Sequence, residues 1–528
     1  LLNYIWHGFH NQYGIPNRFV FLYIFLLLIM AYEVYLKRKS ITILQIVISY
    51  VICMLFVIYC YYHANVTYDI RTYILTALFL TLYLIFFVLY RQVLPIRRIA
   101  GYLLLLFAFI EVIANAWFGF SQVGSSNPDY YYGDTKKFHV VKDEVSNAEG
   151  NNAFYREDIL EPKFVDEATW YNLKSVGIFG STVKGELVTT MGQMGFYTGA
   201  NEYLYYGATP VTNALLGVKY VYVRDNDFNN VDMEYYSGNE DISVYKNEKT
   251  LPIGYMVKDK ILDYETFTNG PFTVQNQISG ALTGVEPIFA TIYEDMEAES
   301  YGTNVTIRQV NDNMVTYSGA NDSVRIDMIY KIPRDMDLYV NCRGSNVHKI
   351  ALLIDGTERA YDRYQGQIFH VGKLKAGQMV DLQFELNDGK NQSGELYCYP
   401  MEYVESQFDS FYNILKDNSM EVTGFQDTKI EGTIQVKEDG VFMTSIPYDK
   451  GWTLYVNGKK TDTFPIMNSF LGAKLSQGDY DIKLVYHCPG LREGCIVTLI
   501  GILCFLLICK VEHNLRQGKK IKEEQIEV

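Results

Sequence analysis

A chain of 528 residues is too long for one ordinary domain and points to three or four units. Its formal charge of −14 excludes the basic footprint that nucleic-acid binding needs. Eight cysteines without a CxxC pair give no zinc-site spacing, and neither a metal nor an organic cofactor is expected.

The chain opens at Leu1 inside a segment that reads as ordered, so a longer protein is expected to precede it. Residues 6–18 run Trp-His-Gly-Phe-His-Asn-Gln-Tyr-Gly-Ile-Pro-Asn-Arg, directly before an apolar stretch. His7, His10, Asn17 and Arg18 form a candidate site for a lipid-linked phosphate or sugar donor. Arg offers a bidentate fork to phosphate oxygens, and His can donate or shuttle a proton. The competing reading is an interfacial segment whose Trp, His and Arg anchor the helix end.

A bilayer core needs roughly 20 apolar residues in helix. Phe19–Leu36, Ile41–Tyr62, Tyr73–Tyr90 and Ile99–Phe120 meet this, and Cys495–Ile508 does so when extended to Leu491 or Val511. Residues 1–120 thus read as a transmembrane region with four spans, and 491–511 as a fifth. Lys37–Lys39, then Arg91, Arg97 and Arg98, then Lys510 and the basic residues of the 512–528 tail all fall on one side of the membrane when the spans alternate. Basic residues in short loops mark the cytoplasmic face, so 121–490 is expected outside. Glu111 and Asn115 lie four apart on one face of the fourth span. An ionisable group in a span faces a cavity or a partner, and an interhelical hydrogen bond is an equal alternative.

Residues 121–270 predict a mixed α/β domain, in which Asn213–Val223 reads as a short helix turning into a buried strand. From 271 onward turn residues recur every 8–12 positions, as in a β-sandwich. Asp355-Gly356 and Asn457-Gly458 each end an apolar run and signal tight hairpins. The repeat predicts two β-sandwich domains, 271–404 and 405–490, with a helix over Glu405–Asn418. Cys342 and Cys398 could pair across the first sandwich, or remain buried thiols. Trp452 allows glycan contact by ring stacking, although a Trp beside a strand is more often core or hairpin edge. No hydrolase elbow, phosphate loop or HExxH occurs.

Three stretches point the same way: Gly8–Phe19 before a span, Asn213–Tyr220, and Asp449–Lys459 followed by Leu475–Tyr486 and a final span. In this order the chain resembles the bacterial YfhO family of multi-span membrane proteins over essentially its whole length. The resemblance implies a GT-C-type glycosyltransferase that moves a sugar from a polyprenyl-phosphate carrier to a cell-surface polymer such as lipoteichoic acid, on the outer membrane face. Carried over by position, His7, His10 and Arg18 would contact the lipid phosphate or donor. GT-C enzymes place their acidic catalytic base in an early outer loop. This chain has no matching acidic loop before its first span, so no residue is assigned the base and the chain alone is expected to be inactive. The alternative is a non-catalytic envelope protein whose sandwiches bind glycan.

Overall fold

A computed structural model describes residues 4–5, 9, 20–63, 69–92, 94–150, 153–160, 162–224, 233–263, 270–292, 296–361 and 366–526. The chain forms two compact units, residues 1–127 and 128–528.

The first unit contains the helices Val20–Leu36, Ile43–His63, Ile70–Tyr90 and Leu94–Gln122. Three of them, with Leu491–Gln517 in the second unit, are long and apolar enough to cross a membrane. Val20–Leu36 is shorter, at 17 residues. Their apolar side chains point outward, as lipid rather than water would require. Polar side chains inside this unit join the helices: Tyr50 Oη and Thr81 Oγ1 lie 3.0 Å apart, linking the second helix to the third. At one end, Arg91 Nη1 donates to the carbonyls of Arg38 (3.3 Å) and Lys39 (3.2 Å). The two basic loops therefore share one end of the unit, the arrangement that alternating charge along the sequence demands.

The second unit begins with a mixed layer. Helix Thr135–Glu149 buries Phe138, Val141 and Val145. They pack on a sheet in which Arg156–Ile159 pairs in parallel with Val218–Val223, followed by Ser243–Lys246 and Glu234–Gly238. The expected helix-to-strand segment is present as helix Pro210–Leu216 and strand Val218–Val223, whose burial is nearly complete. Thr209 caps the helix with a reciprocal Thr212 bond.

Two β-rich parts follow. In the first, a five-stranded sheet (Met296–Tyr301, Arg325–Lys331, Met379–Leu386, Val347–Ile354, Thr357–Tyr361) shares one core with a six-stranded sheet centred on Gln392–Tyr403 and Met336–Gly344. In the second, a five-stranded sheet from Glu421 to Tyr486 faces a four-stranded one. The last strand of that four-stranded sheet is Gly254–Val257, which pairs with Gly440–Pro447 from nearly 200 positions later. Its burial on both faces (Tyr255 is fully buried) explains why local sequence does not reveal the partner. Both hairpins form as expected, with Asp355 and Gly356 at φ 46° and 81° and Asn457 and Gly458 at φ 49° and 75°. Helix Glu405–Lys416 lies between the β-rich parts in sequence. A continuous apolar core joins helices 210–216, 271–283 and 405–416 to Tyr339 and Ile368 of the first part and Val441 and Phe470 of the second. The mixed layer and both β-rich parts are thereby one packed body.

Cys342 and Cys398 are neighbours within one sheet, directly opposite in register, rather than partners across two sheets. Both are buried thiols, with sulfurs 3.8 Å apart. The pairing of long strands with intervening residues hides this register in the sequence.

Candidate functional site

His7, His10, Asn17 and Arg18 lie outside the described residues. The other sequence-selected residues fall at three separate places.

Glu111 accepts a hydrogen bond from Tyr83 Oη, joining the third helix to the fourth. The rings of Phe79, Tyr83 and Phe86 surround Phe107, one turn away. Inside a bilayer a carboxyl with one hydroxyl partner costs less than a bare one, and this contact bridges two helices. Asn115 shares the helix face but its side chain is exposed. Tyr83 was legible only as a hydroxyl within an otherwise apolar span.

Trp452 is half-buried on the edge of the second β-rich core, its ring 5.1 Å from that of Tyr486, its register partner. It is packed on one side and open on the other.

The mixed layer holds a buried ionic network that sequence reading missed. Arg224 donates from Nε to Asp134 (2.7 Å) and from Nη2 and Nη1 to Glu167 (2.5 and 3.1 Å). Lys163 Nζ reaches Asp134 at 2.8 Å and the Lys163 amide reaches Glu167 at 2.7 Å. Burial raises the Asp134 carboxyl, but the bonds from Lys163 and Arg224 outweigh it and hold the group down at about 2. Nearby, Asp158 accepts from the amides of Ile159, Val176 and Gly177 at 2.8–3.0 Å. Burial outweighs those three donors and pushes its carboxyl up to about 6. These groups fix the layer's loops; their side chains are saturated by protein partners.

The first β-rich part carries two arrays on sheet faces turned away from its core. On the five-stranded sheet, Glu299, Asp327, Gln383 and Ala351 stand in one row across four strands. Arg325 grips Asp327 bidentately at 2.9 and 3.1 Å and lies 4.2 Å over the Tyr301 ring. Burial, and then the neighbouring charge of Asp381, push Asp327 up to about 6. On the other sheet, Tyr397 and Tyr399 project from the same face of one strand, their rings within 8° of parallel and 6.3 Å apart. Tyr399 is exposed, Tyr397 Oη donates to Glu395 at 2.6 Å, and exposed Arg343 is the register partner of Tyr397. The Tyr-Cys-Tyr alternation is the signal that could have found this pair, because residues two apart in a strand share a face. Among the described residues no three His, Cys, Asp or Glu side chains converge as a metal site.

The family model described as "Bacterial membrane protein YfhO" matches residues 1–498. YfhO of Bacillus subtilis (strain 168) is 28% identical over 102 residues, which is 19% of this chain and 12% of that protein's length. Among solved structures, arabinofuranosyltransferase AftD from Mycobacteria (mutant R1389S) is 8% identical, covering 41% of this chain and 29% of its own, at a TM-score of 0.15. The family 11 carbohydrate-binding module of Lic26A-Cel5E of Clostridium thermocellum is 11% identical, covering 23% and 94%, also at 0.15. Likenesses at that TM-score support neither a fold nor a function. The family match, over nearly the whole chain, does decide membership: the chain belongs to the bacterial membrane protein YfhO family.

Proposed function

We propose that this chain is the membrane-anchoring and outer portion of a GT-C-type glycosyltransferase. In this reading it serves transfer of a sugar from a polyprenyl-phosphate carrier to a lipoteichoic-acid-like polymer on the outer membrane face. The observation that carries the reading is membership of a multi-span membrane family, together with the shared end of the two basic loops. By the positive-inside rule that end is cytoplasmic, and residues 121–490 then lie outside with carrier and acceptor. His7, His10, Asn17 and Arg18 stand at the outer end of the first span in this topology. A carboxylate base takes the acceptor hydroxyl's proton as the oxygen attacks the anomeric carbon. The bond from that carbon to the phosphate oxygen breaks, and the leaving polyprenyl phosphate carries the charge that Arg18 stabilises. The base is not assigned to a residue of this chain. In cells expressing the full-length protein, Arg18→Ala should abolish polymer glycosylation at normal protein level, and Arg18→Lys should retain part of it. Unchanged glycosylation with Arg18→Ala removes Arg18 from the mechanism.

The parallel tyrosines favour a second reading, a non-catalytic envelope protein whose β-rich parts hold glycan. Aromatic stacking contributes about 0.5–1.5 kcal/mol per ring. The double variant Tyr397→Ala, Tyr399→Ala should then bind purified surface polymer about tenfold more weakly. Equal retention of both proteins on a polymer column would rule this face out.

A further inference from the structure

The second unit exposes a cluster of large aromatic side chains that no core accounts for. Tyr130, Tyr132, Trp170 and Phe179 are each about half exposed, between 45% and 55%. They form one group: Tyr132 and Trp170 rings are 5.3 Å apart, and Tyr131 bridges Tyr130 and Phe164 at 5.2 Å each. The Phe179 amide donates to Asp166 at 2.8 Å, one residue before the helix that carries Trp170, which brings its segment beside them. A soluble face seldom shows such a contiguous aromatic patch without something to cover it.

Chain connectivity identifies the cover. The apolar helix Leu94–Gln122 ends five residues before helix Pro128–Tyr132, which carries three of the rings. Five extended residues reach about 17 Å. The other exit repeats the composition: Trp452 packs on Tyr486, and the apolar helix starting at Leu491 follows four residues after His487 begins the link. Lys184, five positions beyond Phe179, pairs with Asp449 at 2.8 Å, so the two aromatic groups belong to neighbouring segments of one body. Tyr and Trp have an apolar ring and a polar tip, and gather where a bilayer meets water.

We infer that Tyr130–Tyr132, Phe164, Trp170 and Phe179, with Trp452 and Tyr486 beside them, form a bilayer-docking face that rests in the phospholipid headgroup layer. The face goes beyond the proposed transfer reaction and holds whether or not the chain is part of an enzyme. It gives the aromatic rings a lipid partner.

The test uses the full chain in phosphatidylcholine nanodiscs, with or without bromine near the headgroup end of the acyl chains. Trp170 is left as the sole tryptophan by Trp6→Phe, Trp117→Phe and Trp452→Phe. Its emission should fall about twofold in the brominated lipid, because a ring at the headgroup–acyl boundary lies within quenching reach. A tryptophan placed by Lys390→Trp on a remote exposed turn, with the native four replaced by Phe, should keep its emission. Equal Trp170 emission in both lipids overturns the docking face, whether the patch then meets water or protein. If the triple replacement disturbs folding, subtracting the Trp170→Phe signal from that of the unaltered chain yields the same quenching ratio.

Discussion

Arg224→Ala is expected to destabilise the mixed layer of the second unit by about 3–5 kcal/mol, the cost of leaving a buried charge without its partner. Glu167 is fully buried and takes both terminal nitrogens of Arg224. Without the guanidinium it keeps the Lys163 amide as a donor. Asp134 loses one of its two cations but retains Lys163 and the Tyr171 hydroxyl at 3.0 Å. Hydrogen exchange at Val218–Val223, the strand that leads into Arg224, would rise accordingly. Replacing Arg224 and Glu167 together with Met should recover much of the loss, since a packed apolar pair avoids the desolvation cost. If the double variant is no more stable than Arg224→Ala, the ionic pair is not the cause.

The same network fixes a pH dependence. The Asp134 carboxyl is held at about 2, below its ordinary 3.8. A depressed carboxyl contributes stability that is present above 3.8 and is lost as pH falls through 2. Asp158, raised to about 6, has the opposite sign: its contribution is complete below 3.8 and is lost as pH rises through 6. Arg224→Ala should flatten the acid limb between pH 4 and 2 and leave the limb around pH 6 in place.

The parts of this fold that sequence exposed are those whose cause is local. A span needs only a run of apolar residues: Ile43–His63 starts two residues after the expected span and ends one after it, and Ile70–Tyr90 starts three before its own and ends with it. Asp355-Gly356 and Asn457-Gly458 impose their turns by backbone preference alone. What stayed hidden depends on distant partners. Gly254–Val257 is a four-residue strand whose pairing is decided by Phe442, packed over Gly254 where a side chain would not fit. Arg224 looks like any charged residue after a strand until Asp134 and Glu167, 90 and 57 positions away, converge on it. Cys342 and Cys398 were legible as a pair but not as same-sheet neighbours, because strand register is set by the facing core and the turns between. Of the candidate site, Glu111 was found without its Tyr83 partner, and the Tyr397–Tyr399 face was not found at all.

A single methyl group at Gly207 should be nearly as damaging as the loss of Arg224. Gly207 has φ +91°, and a Cβ there would fall on the Gly195 carbonyl oxygen, with Gln367 Cβ only 3.1 Å away. That carbonyl is occupied: it accepts the Ile368 amide at 2.9 Å. The bond ties the mixed layer to the edge strand Ile368–Leu374 of the first β-rich part, beside Tyr339 and Ile368 of the common core. Gly207→Ala therefore incurs backbone strain and a clash with backbone that cannot rotate away, together about 2–5 kcal/mol. Gly356→Ala is the matched control. Its φ is +81°, yet nothing lies within 4 Å of the added carbon, so it carries the strain without the clash. Urea unfolding of the two variants in detergent should separate them by about 1–3 kcal/mol, with Gly207→Ala the weaker. Equal midpoints would mean that positive φ alone sets the cost, and that the Gly195–Ile368 junction yields without loss. The expected ordering instead makes this turn the place where the mixed layer and the β-rich part are held in register.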